Sequence, residues 1–337
     1  MVSFVGNPPT SASVPSTDPG GSTPDPVPGA GYYIAPTGSD TTGDGSITSP
    51  WLTIRKFANV AVAGSTLWCR GGSYTSVPRL ILQNGDVSGI AGKPITVRAY
   101  PGETPSFVGA GSGSFSQFVM VTDGVSYWTF DGLTAQDFKT GSSGVFYVGR
   151  NVGLTVPTHH ITIRNCTVTM VHEGGGPFNH PVYLSAYANN CSLEYNHLIG
   201  AQVAGSDGVG VNVGDHEPSP QGTLIQYNVF ENFGSAGAIW WNGDLNTGSI
   251  LHNTFLNPAV IYISLRYYAS VTVRDNAGET ASSTNISNVN DSGSGVATID
   301  HNFFGQTFDG AYKLTAGQTG INAATDGFDA GAIDSGR

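Results

Sequence analysis

One segment type recurs along the chain and constrains the fold more than any other feature. Each copy carries an anchor residue with an apolar residue three positions before it and another two positions after it. The copies are WTFDGL at Asp131, IRNCTV at Cys166, LEYNHL at Asn196, IQYNVF at Asn228, ILHNTF at Asn253 and IDHNFF at Asn302, with a degenerate copy, VRDNAG, at Asn276. Successive anchors lie 35, 30, 32, 25, 23 and 26 residues apart. This spacing of strand-like segments predicts a solenoid with one repeat per turn.

The composition indicates that the solenoid is built from strands. Glycine accounts for 47 of 337 residues and charged residues for only 11%, so the surface must be covered by Ser, Thr, Asn and Gly, which favour strands and turns. A parallel β-helix stacks such coils about 4.8 Å apart. We expect each anchor Asn to adopt the left-handed conformation at a turn and to hydrogen-bond the Asn of the next coil. This column is structural, with Cys166 as a buried thiol in it.

Charge and hydropathy exclude several classes of protein. The net charge is −11 without a Lys/Arg block, which argues against nucleic-acid binding and means that an acidic polymer is repelled at long range. No apolar run approaches the roughly 18 residues of a membrane span, and residues 1–10 lack the charged and apolar regions of a signal peptide. Cys69, Cys166 and Cys191 are too few and too scattered for a disulfide framework or a zinc site, so we expect buried thiols.

Two regions follow from the pattern. Residues 1–30 are rich in Pro, Gly, Ser and Thr, which is typical of a linker or an extended arm. Residues 31–337 form the predicted β-helix domain.

Several stretches resemble the right-handed parallel β-helix family of pectate-lyase-like proteins. They are YYIAPTGSD (32–40), SPWLTIRKFANVAVAGSTLWCRGGSY (49–74), PITVRAYPGETP (94–105) and GFDAGAID (327–334). The resemblance covers roughly residues 31–334 and implies an all-β, right-handed parallel β-helix in which a short N-terminal capping helix precedes the first strand. The family includes lyases, hydrolases, epimerases and phage tailspikes. Its lyases resemble each other in an Arg or Lys base and in clustered carboxylates that hold Ca²⁺, and no such cluster stands out here.

The strand after each turn predicts a carbohydrate-binding face. The inward apolar pairs are expected to be Phe146/Val148, Val182/Leu184, Val209/Val211, Ile239/Trp241 and Ile261/Ile263. Alternation then points a first row outward, Tyr147, Tyr183, Gly210, Trp240 and Tyr262, and a second row that includes Ser185, Asn212, Asn242 and Ser264. Aromatic faces beside amides suit the stacking and hydrogen bonding of sugars. A purely structural role of the aromatic stack remains the alternative.

Two long turns, 172–181 and 214–222, flank this face and bring acidic residues with them. The candidate catalytic residues are Asp207, Asp215, Glu217, Asp244 and Arg266, with a carboxylate pair as acid and base and Arg266 as a sugar-binding cation. Solvated polar loops are the competing interpretation. The segment GSDTTGDG (38–45) resembles a Ca²⁺ loop but lacks its final Glu, so we expect a turn. No cofactor is predicted, with Ca²⁺ as the alternative.

Two functions remain open at this point. The favoured hypothesis is a non-catalytic virion surface protein, such as a phage decoration or spike subunit, that attaches to capsid or tail proteins through residues 1–30. It would be a homotrimer by analogy with spikes and would present a glycan-binding face. The alternative is an extracellular polysaccharide-degrading enzyme, either a glycoside hydrolase or a lyase. The scarcity of cations, the absence of a signal peptide and the absence of a clear catalytic set favour the first hypothesis.

Overall fold

The structure is a computed structural model that describes residues 31–75, 77–109, 117–138, 143–150, 156–170, 179–200, 209–214, 218–233, 237–243, 246–256, 262–280, 285–289, 295–326 and 328–331. The predicted arm, residues 1–30, lies outside these residues. The secondary structure consists of β1 (Tyr32–Ile34), α1 (Ile54–Ala58), β2 (Thr66–Cys69), β3 (Gly72–Thr75), β4 (Leu80–Leu82), β5 (Ile95–Ala99), β6 (Pro105–Val108), β7 (Val119–Thr122), β8 (Ser126–Asp131), β9 (Thr134–Gln136), β10 (Ser143–Gly149), β11 (Thr158–Arg164), β12 (Thr167–Thr169), β13 (Asn179–Leu184), β14 (Ala188–Asn189), β15 (Ser192–Glu194), β16 (His197–Ile199), β17 (Val211–Gly214), β18 (Thr223–Gln226), β19 (Val229–Glu231), β20 (Ile239–Asn242), β21 (Thr247–Leu251), β22 (Thr254–Leu256), β23 (Ile263–Tyr267), β24 (Ser270–Arg274), β25 (Ala277–Gly278), β26 (Ile286–Asn288), β27 (Val296–Asp300) and β28 (Phe303–Phe304).

These strands form three parallel sheets. Sheet 1 contains β1, β2, β5, β8, β11, β15, β18, β21, β24 and β27, with β14 beside β11. Sheet 2 contains β3, β6, β9, β12, β16, β19, β22, β25 and β28, and sheet 3 contains β4, β7, β10, β13, β17, β20, β23 and β26. From β2 onward the chain visits sheets 1, 2 and 3 in turn, so each strand pairs with the equivalent strand of the next coil. The predicted all-β parallel β-helix is confirmed.

Alternating side chains from all three sheets fill the interior. Trp128 and Phe130 of β8, Phe107 of β6 and Phe146 of β10 are at most 1% exposed. Burial of each such side chain stabilises the fold by roughly 2 to 3 kcal/mol. Alternate side chains of sheet 3 therefore point into this core, and the side chains between them lie on the outer face of the sheet.

The predicted asparagine column is present at the turn between sheets 1 and 2. The side-chain amide nitrogen of each Asn donates to the side-chain oxygen of the next, at 2.9 Å from Asn196 to Asn228, 3.0 Å from Asn228 to Asn253, 3.0 Å from Asn253 to Asn276 and 2.8 Å from Asn276 to Asn302. The backbone N–H of Cys166 donates to the side chain of Asn196 at 3.0 Å, and burial raises the pKa of the Cys166 thiol to about 12. All three cysteines are free and buried, as predicted.

The left-handed residue at this turn differs from the predicted one. The positive φ belongs to the residue before each column member, namely Gly132, Asn165, Tyr195, Tyr227, His252, Asp275 and His301. The Asn itself must direct its amide into the turn between the coils, which a neighbouring left-handed residue allows. Because Gly132 has φ 71°, the column member in its coil is Leu133. Asp131, predicted as the first anchor, instead pairs with Arg164 across sheet 1, where their side chains form a 3.0 Å ion pair.

The N-terminal end of the solenoid is covered by α1. Thr53 caps the helix by accepting a hydrogen bond from the Lys56 N–H at 3.2 Å, and Phe57 is fully buried. The predicted turn at residues 38–45 is confirmed, because the Asp40 carboxylate accepts the backbone N–H groups of Leu52 and Thr53 at 2.9 and 3.0 Å. Strand β1 lies before the helix in the sequence and pairs with β2, which lies after it. The helix therefore precedes the first complete coil rather than the first strand.

Candidate functional site

The outward face of sheet 3 carries a continuous row of side chains in register. Strand pairing aligns Ile81, Met120, Tyr147, Tyr183, Asn212, Trp240, Ser264 and Ser287. We call these eight residues the sheet 3 row. It contains Tyr147, Tyr183 and Trp240 of the predicted first outward row, and Asn212 and Ser264 of the second row take the places of Gly210 and Tyr262. Ile81, Met120 and Ser287 extend it beyond the predicted residues.

The predicted register is wrong at two strands. The inward pair of β17 is Val211/Val213 rather than Val209/Val211, and the inward pair of β23 is Ile263/Leu265 rather than Ile261/Ile263. Each error is a shift of two residues, which preserves the inward and outward alternation but moves one strand relative to its neighbour. Tyr183 therefore lies beside Asn212 instead of Gly210, and Trp240 lies beside Ser264 instead of Tyr262.

Tyr262 does not belong to the outward surface. Its side chain is fully buried, its ring stacks on Phe255 with centroids 5.0 Å apart, and its hydroxyl donates to the Thr280 carbonyl at 3.1 Å. Burial also raises the pKa of Tyr262. The prediction of Tyr262 as an outward residue is wrong, because it precedes β23 and packs against the core between sheets 2 and 3.

The remaining aromatic residues of the row differ in exposure. Tyr147 and Trp240 are partly exposed, whereas Tyr183 is 4% exposed. The Tyr147 ring packs edge-on against Tyr183 with centroids 5.4 Å apart, and its hydroxyl donates to the Arg150 carbonyl at 2.8 Å. Tyr147 and Trp240 therefore offer aromatic surface to a ligand, while Tyr183 mainly supports Tyr147.

Two amide oxygens beside Trp240 are buried without a hydrogen bond. They are the side-chain oxygens of Asn212 and Asn242, and the Asn212 residue is only 2% exposed. Asn242 pairs with Gly214 rather than with Asn212, so the two amides lie diagonally across β17 and β20. A buried acceptor without a donor costs about 1 to 3 kcal/mol. Because both oxygens are buried, a ligand that stacks on Trp240 does not touch them in this conformation.

Arg266 occupies a β-bulge at the edge of this face. Trp241 pairs with Leu265 and Asn242 pairs with Tyr267, so Arg266 is the extra residue of β23. Its side chain is exposed, with the guanidinium carbon 5.8 Å from the Tyr267 ring centroid. Bulges re-aim side chains and are frequent beside active sites. The sequence predicted Arg266 as a sugar-binding cation, but alternation alone contains no sign of the bulge that exposes it.

The predicted carboxylates cannot be placed relative to this row. Asp207, Asp215, Glu217 and Asp244 all lie outside the described residues. Within the described ranges, no three His, Cys, Asp or Glu side chains are grouped so that they could hold a metal ion. The described residues therefore do not provide a cluster of carboxylates for Ca²⁺. The described helix is also too short to cross a membrane.

His180 lies at the start of β13, next to this face, and is buried in a neutral form. Its side chain is 1% exposed and its Nδ1 donates to the Val209 carbonyl at 3.2 Å. Burial lowers the pKa of His180 to about 4. The sequence placed His180 in a polar turn, whereas the structure makes it part of the packing beneath Tyr183, with ring centroids 5.8 Å apart.

Comparison with known proteins identifies relatives of the chain. A family model described as the Pel9A-like right-handed beta helix region matches residues 32–229. Pectate lyase PEL9 of Emericella nidulans is 28% identical over 171 residues, which cover 48% of this chain and 40% of that protein. The chain thus matches only about two fifths of the length of this curated relative.

Solved structures share the fold at low sequence identity. Pectate lyase Pel9A is 16% identical with a TM-score of 0.47, and the alignment covers 90% of this chain and 96% of that chain. Pectate lyase C from Erwinia chrysanthemi is 13% identical with a TM-score of 0.46, and the alignment covers 68% of this chain and 67% of that chain.

These relatives overturn the favoured functional hypothesis. The family model and the curated relative, which is a pectate lyase, favour the alternative of a polysaccharide-degrading enzyme, so the expectation of a non-catalytic virion surface protein bound to capsid or tail proteins is wrong. The physical reason is that one solenoid fold serves both kinds of protein, and the scarcity of cations does not separate them. The homotrimer, inferred from the same analogy, stays a prediction.

Proposed function

Because the chain belongs to the Pel9A-like right-handed β-helix family, we propose that it is a polysaccharide lyase that cleaves pectate or a related polyuronate. The observation that carries this proposal is the family match over residues 32–229, together with a curated pectate lyase as a relative. We also propose that the protein acts outside the cell, where such polymers are found.

The glycan lies along the sheet 3 row in this proposal. Tyr147 and Trp240, which are both partly exposed, stack on sugar faces. Adjacent coils are about 4.8 Å apart, close to the length of one sugar unit, so successive units meet successive coils. The aromatic surface that these two side chains expose supports this path.

The proposed reaction is β-elimination. A base removes the C5 proton next to the uronate carboxylate, and the electron pair left on C5 forms a double bond to C4 as the bond from C4 to the glycosidic oxygen breaks. The departing oxygen takes up a proton and becomes a hydroxyl group, which leaves an unsaturated sugar at the other new end. A cation beside the carboxylate stabilises the negative charge that develops during this step. Arg266 supplies that cation through paired hydrogen bonds to the carboxylate. Asp207, Asp215, Glu217 and Asp244 remain the candidates for proton transfer.

Arg266→Ala is expected to lower the rate of elimination by about 100-fold, because the charge that forms next to C5 loses its fixed partner. The measurement is the absorbance of unsaturated product from polygalacturonate and from other polyuronates. Arg266→Lys should recover part of the rate, since it keeps the charge and loses the paired geometry. Lys93→Ala is the control, because Lys93 is exposed in the turn before β5 and its loss changes the net charge equally.

Three results would contradict the proposal or a part of it. Wild-type protein that forms no unsaturated product from any polyuronate is not this kind of lyase. Release of reducing ends without unsaturated product would assign it to the glycoside hydrolases instead. Full activity of Arg266→Ala would remove Arg266 from the mechanism.

Trp240→Ala is expected to weaken the binding of an oligosaccharide by about 1 kcal/mol while the thermal midpoint changes little, because the indole is partly exposed. Tyr183→Ala provides the contrast. It removes a buried ring and is expected to lower the free energy of unfolding by about 3 kcal/mol. Calorimetric titration and thermal unfolding of both variants check this. Equal losses of stability in the two variants would show that Trp240 is a packing residue.

A further inference from the structure

Two adjacent histidines form an unusual contact at the start of β11, on sheet 1. The Nδ1 atoms of His159 and His160 lie 2.8 Å apart, and the two ring planes meet at 84°. His159 is partly buried and His160 is exposed. Neither residue lies on the sheet 3 row, so this contact is separate from the proposed glycan site.

The surrounding structure holds both rings in place. The Tyr127 ring stacks on His160 with centroids 4.5 Å apart and planes at 15°, and it meets His159 edge-on at 5.3 Å. Both Tyr127 and His160 have a left-handed backbone, with φ 57° and 55°. Backbone pairing aligns His159 with Ser126 on one side and Asn189 on the other. The two nitrogens are therefore brought together by the fold and not by the freedom of two surface side chains.

The distance between the nitrogens suits one class of metal ion. Imidazole nitrogens lie about 2.0 Å from a bound transition metal. Two such ligands in adjacent positions of a square-planar or tetragonal ion are then about 2.8 Å apart, whereas tetrahedral positions require about 3.3 Å. The 2.8 Å between the nitrogens is set by a hydrogen bond without metal, and it already lies close to the spacing of the first arrangement. Square-planar and tetragonal geometry is typical of Cu²⁺ and Ni²⁺.

We propose that His159 and His160 form a two-nitrogen chelate for a divalent transition ion of tetragonal geometry, with Cu²⁺ the ion bound most tightly. Water completes the coordination on the exposed side of His160. Without metal, one Nδ1–H donates to the other Nδ1. With metal, the donor ring carries its hydrogen on Nε2, so that both Nδ1 lone pairs reach the ion.

The charge state of the pair favours binding. A metal needs neutral imidazoles. Burial, together with the neighbouring His160, lowers the pKa of His159, which is the direction that favours the neutral ring. The ring of Tyr127 fixes the orientation of the ligands, which reduces the entropy lost when the ion binds.

The test is a titration of the whole protein with Cu²⁺, followed by calorimetry and electron paramagnetic resonance. We expect one tight site whose spectrum shows coupling to two imidazole nitrogens. His159→Ala and His160→Asn should each weaken this site by about 100-fold, because a chelate loses its intramolecular second ligand. Asn is used at position 160 because it tolerates the left-handed backbone. Metal should also raise the thermal midpoint of the wild type and not of the variants.

His301→Asn is the matched control. His301 is exposed and has φ 49°, but no histidine adjoins it in the sequence, and we expect its loss to leave the tight site intact. Unchanged thermal midpoints without metal show that the variants are folded. Wild-type affinity in the double variant His159→Ala/His160→Asn, or coupling to a single nitrogen in the wild type, would overturn the proposal.

Discussion

Asn228→Ala is expected to lower the free energy of unfolding by about 4 kcal/mol, because the side chain uses its oxygen and both of its amide hydrogens in hydrogen bonds in a dry interior. Its oxygen accepts the backbone N–H and the side-chain amide of Asn196, both at 2.9 Å. Its two amide hydrogens are shared among three acceptors, the Leu193 and Gln226 carbonyls and the Asn253 side chain, at 2.8, 3.0 and 3.0 Å from the nitrogen. Alanine leaves these buried partners unsatisfied in two neighbouring coils. Equilibrium unfolding in urea measures the loss.

Asn59→Ala is the control for this prediction, because Asn59 is exposed at the end of α1. Its replacement should change stability by less than about 1 kcal/mol. If Asn228→Ala lost as little stability as Asn59→Ala, water would have replaced the lost hydrogen bonds. The asparagine column would then not be a main source of stability. Leu133 and Cys166 interrupt the column near its N-terminal end, so the central asparagines are the ones to test.

Acidification from pH 6.5 to pH 4 is expected to remove about 3 kcal/mol of stability through His180 alone. Burial lowers the pKa of His180 from 6.5 to about 4 in the folded protein. The unfolded chain therefore binds more protons than the folded protein within this window, so stability rises with pH between 4 and 6.5 and falls on acidification. Below pH 4 both states carry the proton, and this contribution no longer changes.

His180→Gln separates this effect from other titrations. Glutamine keeps a donor for the Val209 carbonyl and does not titrate, so the variant should be less stable at pH 7 but should lose less stability between pH 6.5 and pH 4. The measurement is the free energy of unfolding at several pH values for both proteins. An equal pH dependence in wild type and variant would contradict the assignment, as would a His180 proton that titrates near pH 6.5 in the folded state.

The site could be predicted only in part. Alternation correctly placed Tyr147, Tyr183 and Trp240 between inward residues, because the side-chain period of a strand is two. It could not place β17, since Val209, Val211 and Val213 alternate equally well in either register. Composition also failed to separate the virion hypothesis from the enzyme alternative, and the relatives overturned the virion hypothesis.

The sequence by itself determined the repeat, the alternation of inward and outward side chains and the asparagine column, because each of these depends on spacing within one coil. Only the tertiary structure decided how neighbouring coils align, and therefore which residues lie side by side in the sheet 3 row. It also decided which residue turns left-handed, why Tyr262 is buried, and why the bulge exposes Arg266. These features depend on contacts between coils that are 23 to 35 residues apart in sequence. A shift of two residues leaves every local pattern unchanged, so such contacts are settled by packing.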